Sequence, residues 1–221
     1  MNAVNHAATA LLLKKRWPDL PLVPALVAVQ LTEFLWVFLN LAGIEHTTTE
    51  PQVRSLADIH LWDMPYSHSL GAAALLAVAA WLVVAKVAGR PSWALPLAVG
   101  VFSHIVLDVA THAHDVEVLP FVFPVKIGSG LYDVPPFALV FETIYGLFCW
   151  WVFNGSRALL GIIVGFNLAA LSFYVPSVPG PEGLLAGHPK VFALVILVHI
   201  VAAQVAVGYF AARRPARSKD A

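Results

Sequence analysis

The chain has 221 residues, 59% of them hydrophobic and only 12% charged, with a mean hydropathy of +0.78. That composition excludes a soluble domain and identifies an integral membrane protein. Lys+Arg and Asp+Glu balance at 13 each, so net charge says nothing of anionic partners and no nucleic-acid partner is expected; the single Cys149 excludes an internal disulfide and a cysteine-based metal knot.

The opening run MNAVNHAATALLLKKR carries its basic cluster after the apolar stretch, unlike a cleavable signal peptide, and is expected to stay attached. Residues 3–13 are apolar apart from Asn5, His6 and Thr9, too short a segment to cross about 30 Å of hydrocarbon. It is therefore a half-helix or lies at the interface, and His6 is either a surface residue or the tip of an inserted helix. Pro18, Pro21 and Pro24 mark a turn and a helix start. Residues 20–43 are long enough to span, and they carry Gln30, Thr32, Glu33 and Asn40. An acidic group near the centre of a span costs about 2.5–3.5 kcal/mol on insertion scales. Glu33 must face protein, water or a metal, or else sit protonated in a hydrogen bond between helices.

A polar connection follows over 44–66, with Glu45, His46, Glu50, Arg54, Asp58, His60 and Asp63. Connections of that length are usually functional or disordered. It ends in LWDMPYSHSLG, which brings Asp63 and His68 to the start of a second span, 67–87, with Ser67 as its N-cap. The third span, 92–112, contains SHIVLDVATHAHD, with His104, Asp108 and His112 each four residues apart. At 3.6 residues per turn each step leaves the next side chain about 40° round, so the three form a slowly turning stripe on one helix face. Two imidazoles and a carboxylate suit Zn, Mn or Fe, and such groups at membrane depth mark a functional site by default.

A second long connection runs to Asp133 and holds His114, Asp115 and Glu117. The fourth span, 134–153, carries Glu142 and ends in an aromatic belt at Trp150 and Trp151. The fifth, 156–175, has Asn167 as its strongly polar interior residue. After the proline-rich loop PSVPGPEG comes the sixth, 189–212, with His199 and Gln204, and Arg213, Arg214, Arg217 and Lys219 close the chain. A lone histidine such as His199 is more often a hydrogen-bonding residue between helices than a ligand.

The fold expected is an all-α polytopic membrane bundle, a single domain over 1–221 with about six transmembrane helices and a short N-terminal half-helix. Lys14, Lys15, Arg16, Lys86, Arg90, Arg157 and the C-terminal basic residues share one side, against Arg54, Lys126 and Lys190 on the other. The positive-inside rule then places both termini in the cytoplasm. At 1.5 Å per residue Glu33, His104 and Glu142 all fall about 18–20 Å above the cytoplasmic face. His68, His112 and Asp63 come near the outer end and Asp108 lies between the tiers. This describes a funnel open to the outside, lined by carboxylates and imidazoles. A divalent ion held there would lower the pKa of a bound water towards about 7, with Glu142 or Asp63 free to act as general base. HExxH, a nucleophile elbow and a phosphate loop are all missing.

The runs MPYSHSLG and GVFSHIVLDVATHAHD, with NHAATALLLKK at the start, GIEH after the first span and LYDVPPFALVFE after the third, resemble the YbcI/YdjM-like family of bacterial inner-membrane proteins, described as metal-dependent hydrolases. The likeness covers residues 4–150, the part expected to bear the metal site; the two further helices within 156–212 carry no shared motif. The resemblance implies a metal site in the membrane built from His6, Glu33, His68, His104 and Asp108, with His112 close behind. It thereby favours the ligand reading of His6. Many members have an aspartate where this chain reads LTEFLW, so Glu33 must reach one carbon further. Many also have an HRPD-like sequence in place of HAHD, leaving His112 and His114 as alternatives for one position.

The function expected is hydrolysis, dependent on a divalent metal, Zn before Mn or Fe, of a phosphoester, ester or amide in a lipid or lipid-like substrate near the outer leaflet of the bilayer. The alternatives are a proton or cation transporter or channel using the same polar groups, and a non-catalytic membrane protein with a structural metal.

Overall fold

The computed structural model describes residues 1–213; Arg214, Arg217 and Lys219, counted in the charge asymmetry, lie outside the described residues. Nine α-helices and two short hairpins run in the order α1 (Ala3–Arg16), α2 (Leu22–Val29), α3 (Leu31–Ala42), β1 (Thr48–Thr49), β2 (Ile59–His60), α4 (Leu70–Leu82), α5 (Pro91–Val109), β3 (Val116–Leu119), β4 (Phe123–Ile127), α6 (Pro135–Phe153), α7 (Arg157–Ala169), α8 (Leu171–Tyr174) and α9 (Pro189–Ala212) among the described residues. Four helices there are long and apolar enough to cross a membrane, α4 among them because a π-helical turn, Val83–Val87, continues it to 18 residues, and five if α2 and α3 are one bent span. The difference from about six lies in residues 156–175, where α7 is only 13 residues long and the chain breaks at Ala170 before α8.

The organising element is α1. The Asn2 side chain caps it by accepting from Val4 N, and Lys14, Lys15 and Arg16 sit at its carbonyl end, where the helix dipole favours cations. Val4 to Leu11 are buried without interruption, because α1 is surrounded by α2, α5, α6, α7 and α9. A helix buried on every face belongs in the interior of a bundle, not at its interface. Between the two locations open for His6, the structure gives the interior one. Met1 is itself buried.

The first expected span is not continuous. At Gln30 the chain leaves helical geometry and the axes of α2 and α3 bend by 51°. Gln30 Nε2 bridges the break by donating to Ala3 O at 3.0 Å, tying it to the start of α1. The break also leaves carbonyls at the end of α2 beyond reach of an intrahelical N–H. Pro91 opens α5 at its first turn, where a missing N–H costs nothing.

Both polar connections form hairpins. Thr48 and Thr49 pair with His60 and Ile59, and Val116 and Glu117 pair with Ile127 and Lys126, both antiparallel. Capping differs at α4. Ser69, not Ser67, accepts from Ala72 N, at 3.1 Å, which frees the Ser67 hydroxyl for another contact.

Candidate metal centre

Five side chains from four elements converge where α1, α3 and α5 meet the end of the first polar connection. His104 and Asp108, one turn apart on α5, present His104 Nε2 and Asp108 Oδ2 3.3 Å from each other. His6 on α1 stacks on His104, ring centroids 3.8 Å apart and planes within 8°. Its Nε2 lies 3.3 Å from Asp108 Oδ1, which also accepts from the Met1 amino group at 3.1 Å. Glu33 reaches in from α3, with Oε1 3.7 Å from His104 Nε2 and 3.8 Å from His68 Nε2. His6, His104 and Asp108 form one group able to hold a metal ion; Glu33, His68 and His104 form a second, sharing His104.

The donor set fits a divalent transition metal. His6 Nε2, His104 Nε2 and Asp108 Oδ2 are buried and lack a hydrogen-bond partner, although they face one another. Leaving such atoms unsatisfied in the interior costs about 1–3 kcal/mol each, and a cation removes that cost. Tetrahedral zinc with ligands at about 2.0–2.1 Å has ligand atoms about 3.3 Å apart, as are the closest pairs here. His104 Nδ1 donates to Val29 O at 2.8 Å, one of the carbonyls freed by the break at Gln30. A carbonyl only accepts, so the proton of a neutral His104 is on Nδ1 and its lone pair, on Nε2, points at the site.

Beside this cluster lies a cavity of about 200 Å³. Glu33, His68, His112 and Tyr132 form part of its wall, and the rest is largely apolar: Trp36, Leu61, Phe173, Phe192 and Ile196. The last helices thus supply a wall of the cavity next to the centre, a contribution that their apolar sequence does not announce.

The remaining expected site residues lie elsewhere. His112 is outside both metal-holding groups. It faces the cavity with its ring 4.5 Å from Tyr132, and its Nδ1 lies 3.6 Å from Asp115 Oδ1. Burial pushes the Asp115 carboxyl up, but the His112 ring and the Leu61 N–H outweigh it and hold Asp115 below its ordinary value. His114 is exposed, so of the two alternatives His112 is the one at the cavity. Glu142 is fully buried but accepts from Asn2 N (2.6 Å), Asn5 Nδ2 (3.2 Å) and Tyr132 OH (2.9 Å). Its carboxylate is engaged in holding the start of α1, and it does not line the cavity. Asp63 is exposed and accepts from Thr48 Oγ1 at 3.1 Å; the structure does not bring it to the cluster.

Sequence reasoning gave no role to Glu45, which is fully buried and bonded to Ser67. The signal available was GIEH, a single acid among many in a polar connection.

A family model, that of the YdjM inner membrane protein, matches residues 65–180, just over half of the chain. The chain belongs to the YdjM inner membrane protein family. No curated protein and no solved structure matches it. In this YdjM-family chain the matched region contains His68, His104 and Asp108, together with the whole of α5 and α6. His6 and Glu33 reach the same cluster from α1 and α3, before that region begins. Family membership agrees with the apolar helices in making this an inner-membrane protein.

Proposed function

We propose that the chain is a hydrolase in the membrane that depends on a divalent metal, Zn before Mn or Fe, and cleaves a phosphoester, ester or amide of a lipid-like substrate. The observation that carries this reading is the convergence of three unpaired, buried ligand atoms, His6 Nε2, His104 Nε2 and Asp108 Oδ2, beside a largely apolar cavity. Binding sites for small molecules are of this kind, apolar walls with a few convergent polar groups.

His6, His104 and Asp108 would hold the ion from its buried side, and Glu33 and His68 would complete its ligand set on the cavity side. Both groups use His104 Nε2, and that nitrogen has one lone pair, which favours one ion over two. An ion there would supply Lewis-acid polarisation of a substrate oxygen and a water acidic enough to react near neutral pH. His112, with Asp115 behind its Nδ1, is the group at the cavity wall that would carry a proton to or from the bond being cleaved. The apolar wall from α9 would exclude bulk water and seat an acyl chain. With the basic helix ends in the cytoplasm, the centre would take its substrate from the outer part of the bilayer.

The test is incubation of the purified protein, metal-loaded in lipid nanodiscs, with phosphoester, ester and amide lipids, following release of the water-soluble product. Turnover that needs the metal and disappears in Glu33→Gln is expected. A metal-loaded protein that cleaves none of the three classes would overturn the hydrolase reading.

One observation favours a second reading. The 51° break between α2 and α3 takes backbone carbonyls out of the helical ladder, as in the discontinuous helices of secondary transporters. On that reading His6, Glu33, His68, His104 and Asp108 form an ion path. Proteoliposomes that move protons or metal ions without forming product would favour it.

A further inference from the structure

Glu45 lies at the end of α3, past the glycine that stops the helix: Gly43 adopts the left-handed conformation, with φ 73°. Its carboxylate turns back into the protein and is fully buried. Oε1 accepts from Tyr66 N at 2.7 Å and Ser67 N at 3.0 Å, and Oε2 accepts from Ser67 Oγ at 2.5 Å. Ser67 Oγ lies 2.9 Å from His68 Nδ1. The other ring nitrogen of His68, Nε2, faces Glu33 and the centre.

The direction of every bond in this chain follows from counting protons. Backbone N–H groups only donate, so Glu45 Oε1 is an acceptor. A hydroxyl has one proton, and the short contact commits that of Ser67 to Glu45 Oε2. Ser67 Oγ then has only lone pairs left for His68, so His68 Nδ1 must carry a proton and donate it. In the neutral ring this leaves the lone pair on Nε2, the atom presented to the metal centre. His104 reaches the same tautomer through the Val29 carbonyl. Two histidines of the cluster are thus set by different devices, one a backbone carbonyl and one a side-chain relay.

We infer that Glu45 and Ser67 form a relay that fixes the tautomer and orientation of His68 and so makes it competent to bind a divalent metal. Glu45 is a positioning residue: it acts on the centre through Ser67 and His68. The inference rests on the metal reading proposed above only in its last clause, since the tautomer is a property of the protein alone. Groups behind a ligand in this way typically contribute about 10–100-fold to metal affinity.

Glu45→Gln reverses the relay without emptying the space. The glutamine oxygen is needed by Tyr66 N and Ser67 N, so its amide NH₂ faces Ser67 Oγ and donates to it. The hydroxyl must then give its proton to His68 Nδ1, which moves the ring proton to Nε2 and removes the lone pair from the centre. Ser67→Thr retains a hydroxyl and restores the wild-type arrangement; Ser67→Ala leaves His68 Nδ1 without its partner.

The experiment is ¹⁵N–¹H correlation of histidine-labelled protein in nanodiscs, stripped of metal and held at alkaline pH so that the rings are neutral, with Zn and Co titrations of the same samples. The wild type and Ser67→Thr should show His68 protonated on Nδ1. Glu45→Gln should show it protonated on Nε2 and bind the metal about 10–100-fold more weakly, with an unchanged helix content. A wild-type His68 protonated on Nε2, or a Glu45→Gln protein that keeps the Nδ1 proton and full affinity, would overturn the relay. The expected tautomers in a protein that takes up neither metal would support the relay and overturn the metal reading alone.

Discussion

Replacing Gly146 by alanine tests how the centre is held together from a distance. Gly146 is buried on α6, beside Asn5 of α1 and Ile163 of α7. A Cβ at this position would stand 2.5 Å from Asn5 Oδ1 and 2.8 Å from Ile163 Cγ2. Neither neighbour can step aside cheaply. Asn5 is pinned by Glu142 at 3.2 Å and by Asn167 at 2.9 and 3.2 Å, and Ile163 is a fully buried residue of α7. Overpacking of this kind costs about 1–3 kcal/mol, and loss of one Asn5 hydrogen bond adds about 0.5–1.5 kcal/mol. A total of about 2–4 kcal/mol, at about 2–4 °C per kcal/mol for a chain of this size, lowers Tm by roughly 10 °C. Because His6 follows Asn5 directly, displacement of α1 should also lower metal retention. The assay is thermal unfolding in detergent with metal analysis of the same samples. Gly161→Ala and Gly165→Ala on α7 are the controls: a Cβ there meets nothing within 4 Å, so each should be neutral or stabilise by up to about 1 kcal/mol. A Gly146→Ala protein as stable as these controls would refute the packing of α1 against α6.

Three further outcomes follow from the same geometry. Reloading chelator-stripped protein with Zn at about 100 times Kd should stabilise it by about 2.7 kcal/mol, and Asp108→Asn should abolish the thermal shift; an equal shift in the variant would remove Asp108 from the ligand set. His112→Ala should retain the metal and lose turnover, read by metal content and product release, whereas a variant with full activity would leave proton transfer to another group. Asp115→Asn should cost stability at neutral pH by denaturant titration. The Asp115 value is depressed in the folded protein, so its contribution is present above the ordinary 3.8 and is lost as pH falls through the folded value. The difference between wild type and variant should therefore close in acid; a difference that persists unchanged there would contradict the pairing with His112 and Leu61 N.

How much of this could be read beforehand depended on whether the information was local. His104 and Asp108 were legible because one helical turn separates them inside an apolar run, a spacing that forces them onto one face. Glu33 was legible because a carboxylate in a span needs a partner. His6 had two readings, since its segment is too short to span and only tertiary packing decides whether such a helix is interior. His112 continues the stripe by spacing, but it lies beyond the last residue of α5, so the periodicity no longer governs where it points. The break at Gln30 carries neither glycine nor proline, and nothing local marks it. Glu142 shared a depth with the centre, but depth leaves rotation about the helix axis open, and its partners come from α1 and the segment before α6. Glu45 was one acid among several in a polar connection. Its role appears only when the chain folds it back onto Ser67.

The central claim is that His6, Glu33, His68, His104 and Asp108 enclose a metal centre. Elemental analysis of the detergent-purified protein beside a His104→Ala, Asp108→Ala variant tests it most directly. One equivalent of a transition metal in the wild type, missing from a variant that keeps its helix content, is the result predicted. A wild-type protein that holds no metal even after resupply with Zn, Mn and Fe would contradict the account and leave these residues as a polar path through the bundle.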